Sequence, residues 1–187
     1  MKLGILGGSF NPIHHGHLIV GTRTAEALKL DRVLFIPTAV SPLKSSRNFA
    51  PARDRLAMVR AALRGNPLFR ASDLEIRRGG TSFTVDTLKA LWKSGPDGLF
   101  LILGADAARL LPQWRSVNEV KRLATLVFVE RPGHRAGPGM PKHLVVAVPL
   151  LDISSSEIRA RVRRSLSIRY LLPETVERYI RRKGLYR

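Results

Sequence analysis

Three of the chain's five histidines fall within Gly7-Gly8-Ser9-Phe10-Asn11-Pro12-Ile13-His14-His15-Gly16-His17. Two adjacent glycines followed by imidazoles three residues apart suit the holding of an anion. Without a Cβ in the way, a bulky anion can approach the backbone closely. A helix starting just beyond adds unpaired N–H groups and a partial positive charge, and His14 and His17 would supply ring donors at the same mouth. The stretch lacks the G-x-x-x-x-G-K-[ST] spacing of a Walker loop, and Gly4-x-x-Gly7-Gly8 is not G-x-G-x-x-G. Zinc ligation by His14, His15 and His17 is the rival chemistry, but neither H-E-x-x-H nor a cysteine accompanies them. We therefore expect a phosphate site and no protein-held metal.

A second stretch could do similar work. Ser154-Ser155-Ser156-Glu157-Ile158-Arg159 puts hydroxyls at a helix start and a guanidinium one turn inside, which reads as an anion clamp or as an ordinary N-cap with a surface arginine. Other residues carry open alternatives. Trp114 fits a core position or a stacking platform, Thr84 in T-S-F-T fits a helix start, and Asp106 in Gly104-Ala105-Asp106 could accept hydroxyls or cap a helix.

Positioning these groups falls to an alternation of short apolar, β-branched runs with helix-period segments, the pattern of βα units on a parallel sheet. Strands are expected at 3–6, 32–36, 71–76, 99–103, 125–129 and 144–148. In the first helix Leu18, Gly21, Ala25 and Leu28 form one narrow face toward the sheet; the second carries Leu56, Val59 and Leu63. Further helices are expected from Ser82 to about Lys93 and from Asn118 to about Leu123. Two basic amphipathic helices close the chain, one with Ile158, Val162 and Leu166 on a face, the other with Pro173 in its first turn, Val176, Tyr179 and Ile180 together, and Gly184 as terminator. Ser41–Pro51 and Pro132–Lys142 are the loop-like connections. The expected class is thus α/β: a Rossmann-like open, mostly parallel sheet with helices on both faces. We read 1–187 as a single domain, with a sheet core over 1–150 and C-terminal helices over 151–187.

Bulk properties narrow the setting. At 187 residues and 44% hydrophobic composition the chain can bury one substantial core. No apolar run approaches the roughly 20 residues that span a bilayer, and no signal segment is visible, so we expect no membrane association. Zero cysteines exclude disulfides, Cys-ligated zinc and thiolate catalysis, and agree with a cytoplasmic location. The net charge of +18 invites a nucleic-acid reading. However, arginine is scattered throughout, and the densest segment, ten Lys/Arg against three Glu after Ile153, also suits solvated helix faces or the steering of small polyphosphates. Lacking Lys/Arg–aromatic interleaving, the chain is not expected to take nucleic acid as a partner. A homo-oligomer is left open.

GGSFNPIHHGHL resembles the His-x-Gly-His signature of the adenylyltransferase branch of the nucleotidyltransferase superfamily. FIPTAVSPLK, TSFTVDTL, LILGADAARLLPQW, VERPG and DISSSEIRARVRRSLSIRYLLPETVERYI, in this order, extend the resemblance over almost the whole chain to bacterial nicotinate-nucleotide adenylyltransferases. That resemblance implies transfer of the adenylyl group of ATP to nicotinate mononucleotide, with Mg²⁺ carried on ATP, yielding nicotinic acid adenine dinucleotide and pyrophosphate. It implies that His14 and His17 are catalytic, and that Gly7, Gly8, Ser9, Phe10, Gly104, Ser154, Ser155, Ser156 and Arg159 join them around ATP. It puts the mononucleotide against Thr38, Lys44, Phe83, Thr84, Asp106, Trp114 and Arg131, with Trp114 stacking on the pyridine ring and Thr84 near its carboxylate. Two departures stand out. Ser41-Pro42-Leu43-Lys44 replaces a common Pro-Pro-His-Lys/Arg, and Asn11 stands where Asp is common. Phosphopantetheine and nicotinamide-mononucleotide adenylyltransferases are the neighbouring enzymes; the Trp114 segment, TSFT and SIRYLLPE speak against the former. A basic nucleic-acid-binding module on the same fold is the alternative from another class.

Overall fold

The computed structural model describes residues 1–42, 49–130, 143–149 and 151–187. Six strands, β1 (Lys2–Gly8), β2 (Arg32–Pro37), β3 (Phe69–Ala71), β4 (Gly98–Gly104), β5 (Thr125–Glu130) and β6 (Leu144–Ala147), form one sheet in the order β3-β2-β1-β4-β5-β6. All five ladders are parallel. Around them lie α1 (His15–Leu28), α2 (Ala52–Ala62), α3 (Leu74–Arg78), α4 (Thr84–Trp92), α5 (Ala105–Leu110), α6 (Val117–Leu123), α7 (Ser155–Arg163) and α8 (Glu174–Lys183), plus a 3₁₀ turn at Leu111–Gln113. This is the Rossmann-like α/β architecture expected from the βα rhythm. Among the described residues no helix is long and apolar enough to cross a membrane.

Strand alternation splits the core into two layers, one per sheet face. Leu6, Val33, Phe35 and Ile102 share one layer with Ala25 of α1, Met58 and Val59 of α2, Ile158 of α7 and Val176 and Ile180 of α8. Leu3, Ile5, Ile36, Leu99, Leu101 and Leu103 face the other, against Val85 and Leu88 of α4, Ala108 of α5 and Val120 of α6. The C-terminal helices therefore belong to the same hydrophobic layer as α1. At Gly21 a Cβ would lie 2.8 Å from the Phe35 ring and 3.2 Å from Phe69, so glycine lets α1 settle directly on the sheet. The expected face at 18, 21, 25 and 28 is the packed one, with Gly21 and Ala25 buried and Leu18 and Leu28 against the layer's edge.

Several boundaries differ from the sequence expectation. The strand expected at 71–76 is only Phe69–Ala71, which pairs with Val33–Phe35; the chain then turns into α3. Helix wins because Ser72 Oγ accepts the Leu74 N–H at 3.3 Å, and α3 can bury Glu75 against Thr87, whose hydroxyl donates to Glu75 Oε1 at 2.7 Å. Burial pushes that carboxyl up, the Thr87 and Ser82 hydrogen bonds and the Arg78 charge opposing. Leu166 is no part of the α7 face: α7 stops at Arg163, Ser165 takes a positive φ of 54°, and Leu166 is exposed. Pro173 is the N-cap of α8, one place before its first turn, whereas Gly184 closes α8 in the left-handed conformation as expected. Helix α5 and the 3₁₀ turn were not expected, because Ala105–Gln113 is too short to display a period. Most of the Ser41–Pro51 connection (43–48), and Pro132–Lys142 in full, lie outside the described residues.

Candidate active site

The sheet itself opens the crevice. Strand β1 pairs with β4 only as far as Ile5↔Leu101, while β1 stays on β2 to Gly8↔Pro37 and β4 stays on β5 to Gly104↔Val129. The carboxyl ends of the two central strands thus part at the point where strand order reverses, the place where open α/β sheets receive ligands. Gly7 and Gly104 stand on its two lips. A Cβ on either would meet nothing within 4 Å, and neither glycine has a positive φ, so neither packing nor backbone conformation demands glycine there. What the missing side chains leave is room for a ligand.

Beyond β1 the chain turns through Ser9 and Phe10, the latter in the left-handed region at φ 44°, then a cis Asn11–Pro12 bond, into α1. Five donors, buried or partly buried, hold this bend. Arg55 Nη1 donates to Ser9 O (2.8 Å), Arg159 Nη1 to Asn11 O (2.8 Å) and Ser155 Oγ to Pro12 O (2.8 Å), while Asn11 Oδ1 accepts from Ala50 N (2.9 Å) and the Tyr186 hydroxyl (2.8 Å). Each ties a loop oxygen to protein, which keeps negative dipoles of the bend from competing with an incoming anion. Asn11, standing where Asp is common, thus acts here without charge: its amide oxygen accepts two hydrogen bonds.

His14 is the buried N-cap of α1, with extended backbone. Its ring lies 3.8 Å from that of His17, tilted 36°, and its backbone N–H donates to His17 Nδ1 at 3.2 Å. An accepting Nδ1 puts the proton of neutral His17 on Nε2, making Nε2–H the ring's donor. The Phe10 ring stands edge-on to His17 at 5.0 Å and fixes its orientation. Gly16 explains the H-x-G-H spacing: a Cβ there would sit 3.0 Å from both Cε1 and Nδ1 of His14. His15 serves the backbone, its N–H donating to Leu171 O at 3.1 Å.

The second stretch meets the first, as its chemistry requires. Ser154 Oγ caps α7 by accepting the Glu157 N–H (3.1 Å), Ser155 reaches Pro12, and Arg159 joins Asn11 O to Ser156 Oγ (3.1 Å). Ser156 is exposed beside this pair. Burial lowers the Arg159 pKa, with the Arg163 charge adding and the Tyr186 hydroxyl opposing. Two helix openings, α1 and α7, thus stand side by side over the crevice.

Across the crevice the remaining expected residues gather less tightly. Phe83 is the N-cap and Thr84 the first residue of α4; Phe83 and Trp114 are half-buried against the same apolar layer. The Arg115 guanidinium lies over the Phe83 ring at 4.7 Å. Asp106, in the first turn of α5 just past Gly104, is exposed and ion-paired to Arg109. Thr38 lies on the β1 side, its N–H donating to Gly8 O at 3.0 Å. Lys44 and Arg131 lie outside the described residues.

Sequence reasoning missed Arg55 and Tyr186. Arg55 is buried and also donates to Ala50 O (3.0 Å), Thr38 O (2.7 Å) and Ala39 O (3.1 Å), stapling the loops after β1 and β2 to the start of α2. Its signal was present, since position 55 shares the buried stripe of Met58 and Val59. Tyr186, next to last in the chain, offered none.

Fold and site together define a nucleotide-handling class: residues 5–161 match the model of the cytidylyltransferase-like family. Full-length relatives narrow it. The chain is 45% identical over 194 residues to a probable nicotinate-nucleotide adenylyltransferase of Roseiflexus sp. (strain RS-1), covering 99% of this chain and 98% of that one. It is 44% identical to a probable nicotinate-nucleotide adenylyltransferase of Opitutus terrae, covering 100% and 98%. In fold it resembles Plasmodium falciparum nicotinic acid mononucleotide adenylyltransferase complexed with NaAD, with a TM-score of 0.82, 21% identity and coverage of 99% and 97%. The chain belongs to the cytidylyltransferase-like family, on its nicotinate-nucleotide adenylyltransferase branch.

Proposed function

We propose that this protein transfers the adenylyl group of ATP to nicotinate mononucleotide, giving nicotinic acid adenine dinucleotide and pyrophosphate in NAD synthesis. The observation that carries the reading is the parting of β1 and β4 beneath the paired openings of α1 and α7. An oxygen of the 5′-phosphate bonds to the α-phosphorus of ATP; the bond to the bridging β-oxygen breaks and pyrophosphate leaves with its electrons. Since the nucleophile is already an anion, no side chain has to deprotonate it. The barrier lies in bringing two polyanions into line, so the protein's contribution is placement and charge stabilisation.

In this reading the amides after Gly8, the His14 and His17 rings and the α7 opening at Ser156 hold the ATP phosphates, with Gly7 and Gly104 leaving room for the reacting centre. Ser154, Ser155 and Arg159 act from behind, by capping α7 and fixing the bend. The mononucleotide occupies the Phe83–Thr84 and Trp114 rim, with Thr38 and Asp106 at its phosphate and ribose. Among the described residues no three His, Cys, Asp or Glu side chains gather to hold a metal. In this reading the ion is Mg²⁺, entering on the ATP phosphates with its own waters. The sheet and C-terminal helices, sharing one hydrophobic layer, act as one domain, and we assign the enzyme to the cytoplasm. Part of the tail's charge is engaged locally, Arg178 with Glu174 and Arg181 with Glu177, and in this reading the partners are small anions rather than nucleic acid.

The test is pyrophosphate release from ATP and Mg²⁺ with nicotinate mononucleotide, its amide or phosphopantetheine as acceptor. The reading expects the nicotinate acceptor to give the highest kcat/KM. Turnover with phosphopantetheine alone, or with none, would overturn it.

A further inference from the structure

Resting on the mononucleotide's place at the Phe83–Thr84 rim, we propose that Arg115 is a specificity-determining residue that selects the acid over the amide form of the pyridine substrate. The opening of α4 is not electrostatically simple. Its first turn carries Asp86, whose carboxylate would repel a ligand carboxylate at the same rim. Arg115 Nη1 lies 3.7 Å from Asp86 Oδ2, and its guanidinium carbon lies over the ring of Phe83, the N-cap of that helix, 4.7 Å from its centre. Stacking fixes the cation over the rim, and with its side chain 57% exposed it retains N–H donors for a ligand.

Neighbouring charges are engaged elsewhere: Lys89 pairs with Glu119 at 3.0 Å, Arg122 also reaches Glu119, and Arg109 pairs with Asp106. Arg78 is turned to Thr87 Oγ1 at 3.2 Å and toward the buried Glu75, whereas Arg115 lies over the Phe83 ring at the rim itself. Nicotinate differs from nicotinamide by one negative charge and by lacking an NH₂ group. A fixed guanidinium attracts the carboxylate, and its donors find no acceptor in the amide's NH₂. Removing Arg115 would also uncover Asp86, so both changes lower discrimination in the same direction.

The experiment compares kcat/KM for nicotinate and nicotinamide mononucleotides at saturating ATP and Mg²⁺ in wild type, Arg115→Gln, Arg115→Lys and Asp86→Asn. Arg115→Gln should lower the acid/amide ratio about fivefold, the scale of one partly solvated charge contact, with the loss confined to the acid. Arg115→Lys, which keeps the charge, should stay within about twofold of wild type, and Asp86→Asn should raise the ratio. An unchanged ratio in Arg115→Gln, or an equal fall in Arg115→Lys, would overturn the proposal. A wild type that accepts neither pyridine nucleotide would instead sink the proposed function, a result recognisable before any variant is made.

Discussion

The two sides of the crevice are built differently. On the β1 side Phe10, Asn11, Ile13 and His14 are buried, and the bend through them is fastened by Arg55, Arg159, Ser155 and Tyr186. On the β4 side Asp106, Arg109 and Arg115 are largely exposed and held by ion pairs of the kind that contribute little when solvated. A triphosphate is the same in every turnover and rewards a preorganised cradle, because donors fixed in advance need no reordering as charge develops. Discrimination between two pyridine rings needs only a stacking surface and a fixed charge. On the proposed assignment, one side serves rate and the other choice.

The contrast can be broken first at Arg55. Arg55→Met strips the donor from four loop carbonyls and should cost about 3 kcal/mol of stability, read from the urea midpoint. A loss under about 1 kcal/mol would mean the β1 side is not fastened as described. Next, His17→Ala should lower kcat by about one to two decades through loss of a phosphate donor while the fold survives; unchanged kcat removes His17 from the site. Trp114→Ala should raise KM for the mononucleotide about tenfold and leave that for ATP nearly alone, as loss of a stacking surface would. Equal effects on both substrates would erase the division between the two sides. Smallest, Tyr186→Phe should cost about 1 kcal/mol, one neutral hydrogen bond, leaving Asn11 Oδ1 its bond from Ala50.

Legibility in the sequence followed the range of the interactions. Strands at 32–36, 99–103 and 125–129 match because alternation and β-branching are local, and the His-x-Gly-His stretch announces itself because its chemistry is compressed into eleven residues. The segment at 71–76 misleads because helix α3 is decided by a partner twelve residues on, Thr87, that buries Glu75. Arg55 reads as one arginine among many until the bend after β1 and the two ends of the β2–α2 connection converge on it. Tyr186 contacts Asn11 across 175 residues, and nothing near either position signals the pairing. In the α7 stretch the residue types were legible but not the division of labour. Ser154 and Ser155 serve the cap and the bend, which leaves Ser156 as the hydroxyl nearest Arg159 on the exposed side.

The most direct test of the account is a crystal structure of the enzyme with a non-hydrolysable ATP analogue and Mg²⁺. The phosphates should lie over the parted ends of β1 and β4, within hydrogen-bond distance of His17 Nε2 and of the α7 opening at Ser156. Phosphates seated instead against Trp114 and Arg115, with both imidazoles untouched, would contradict it.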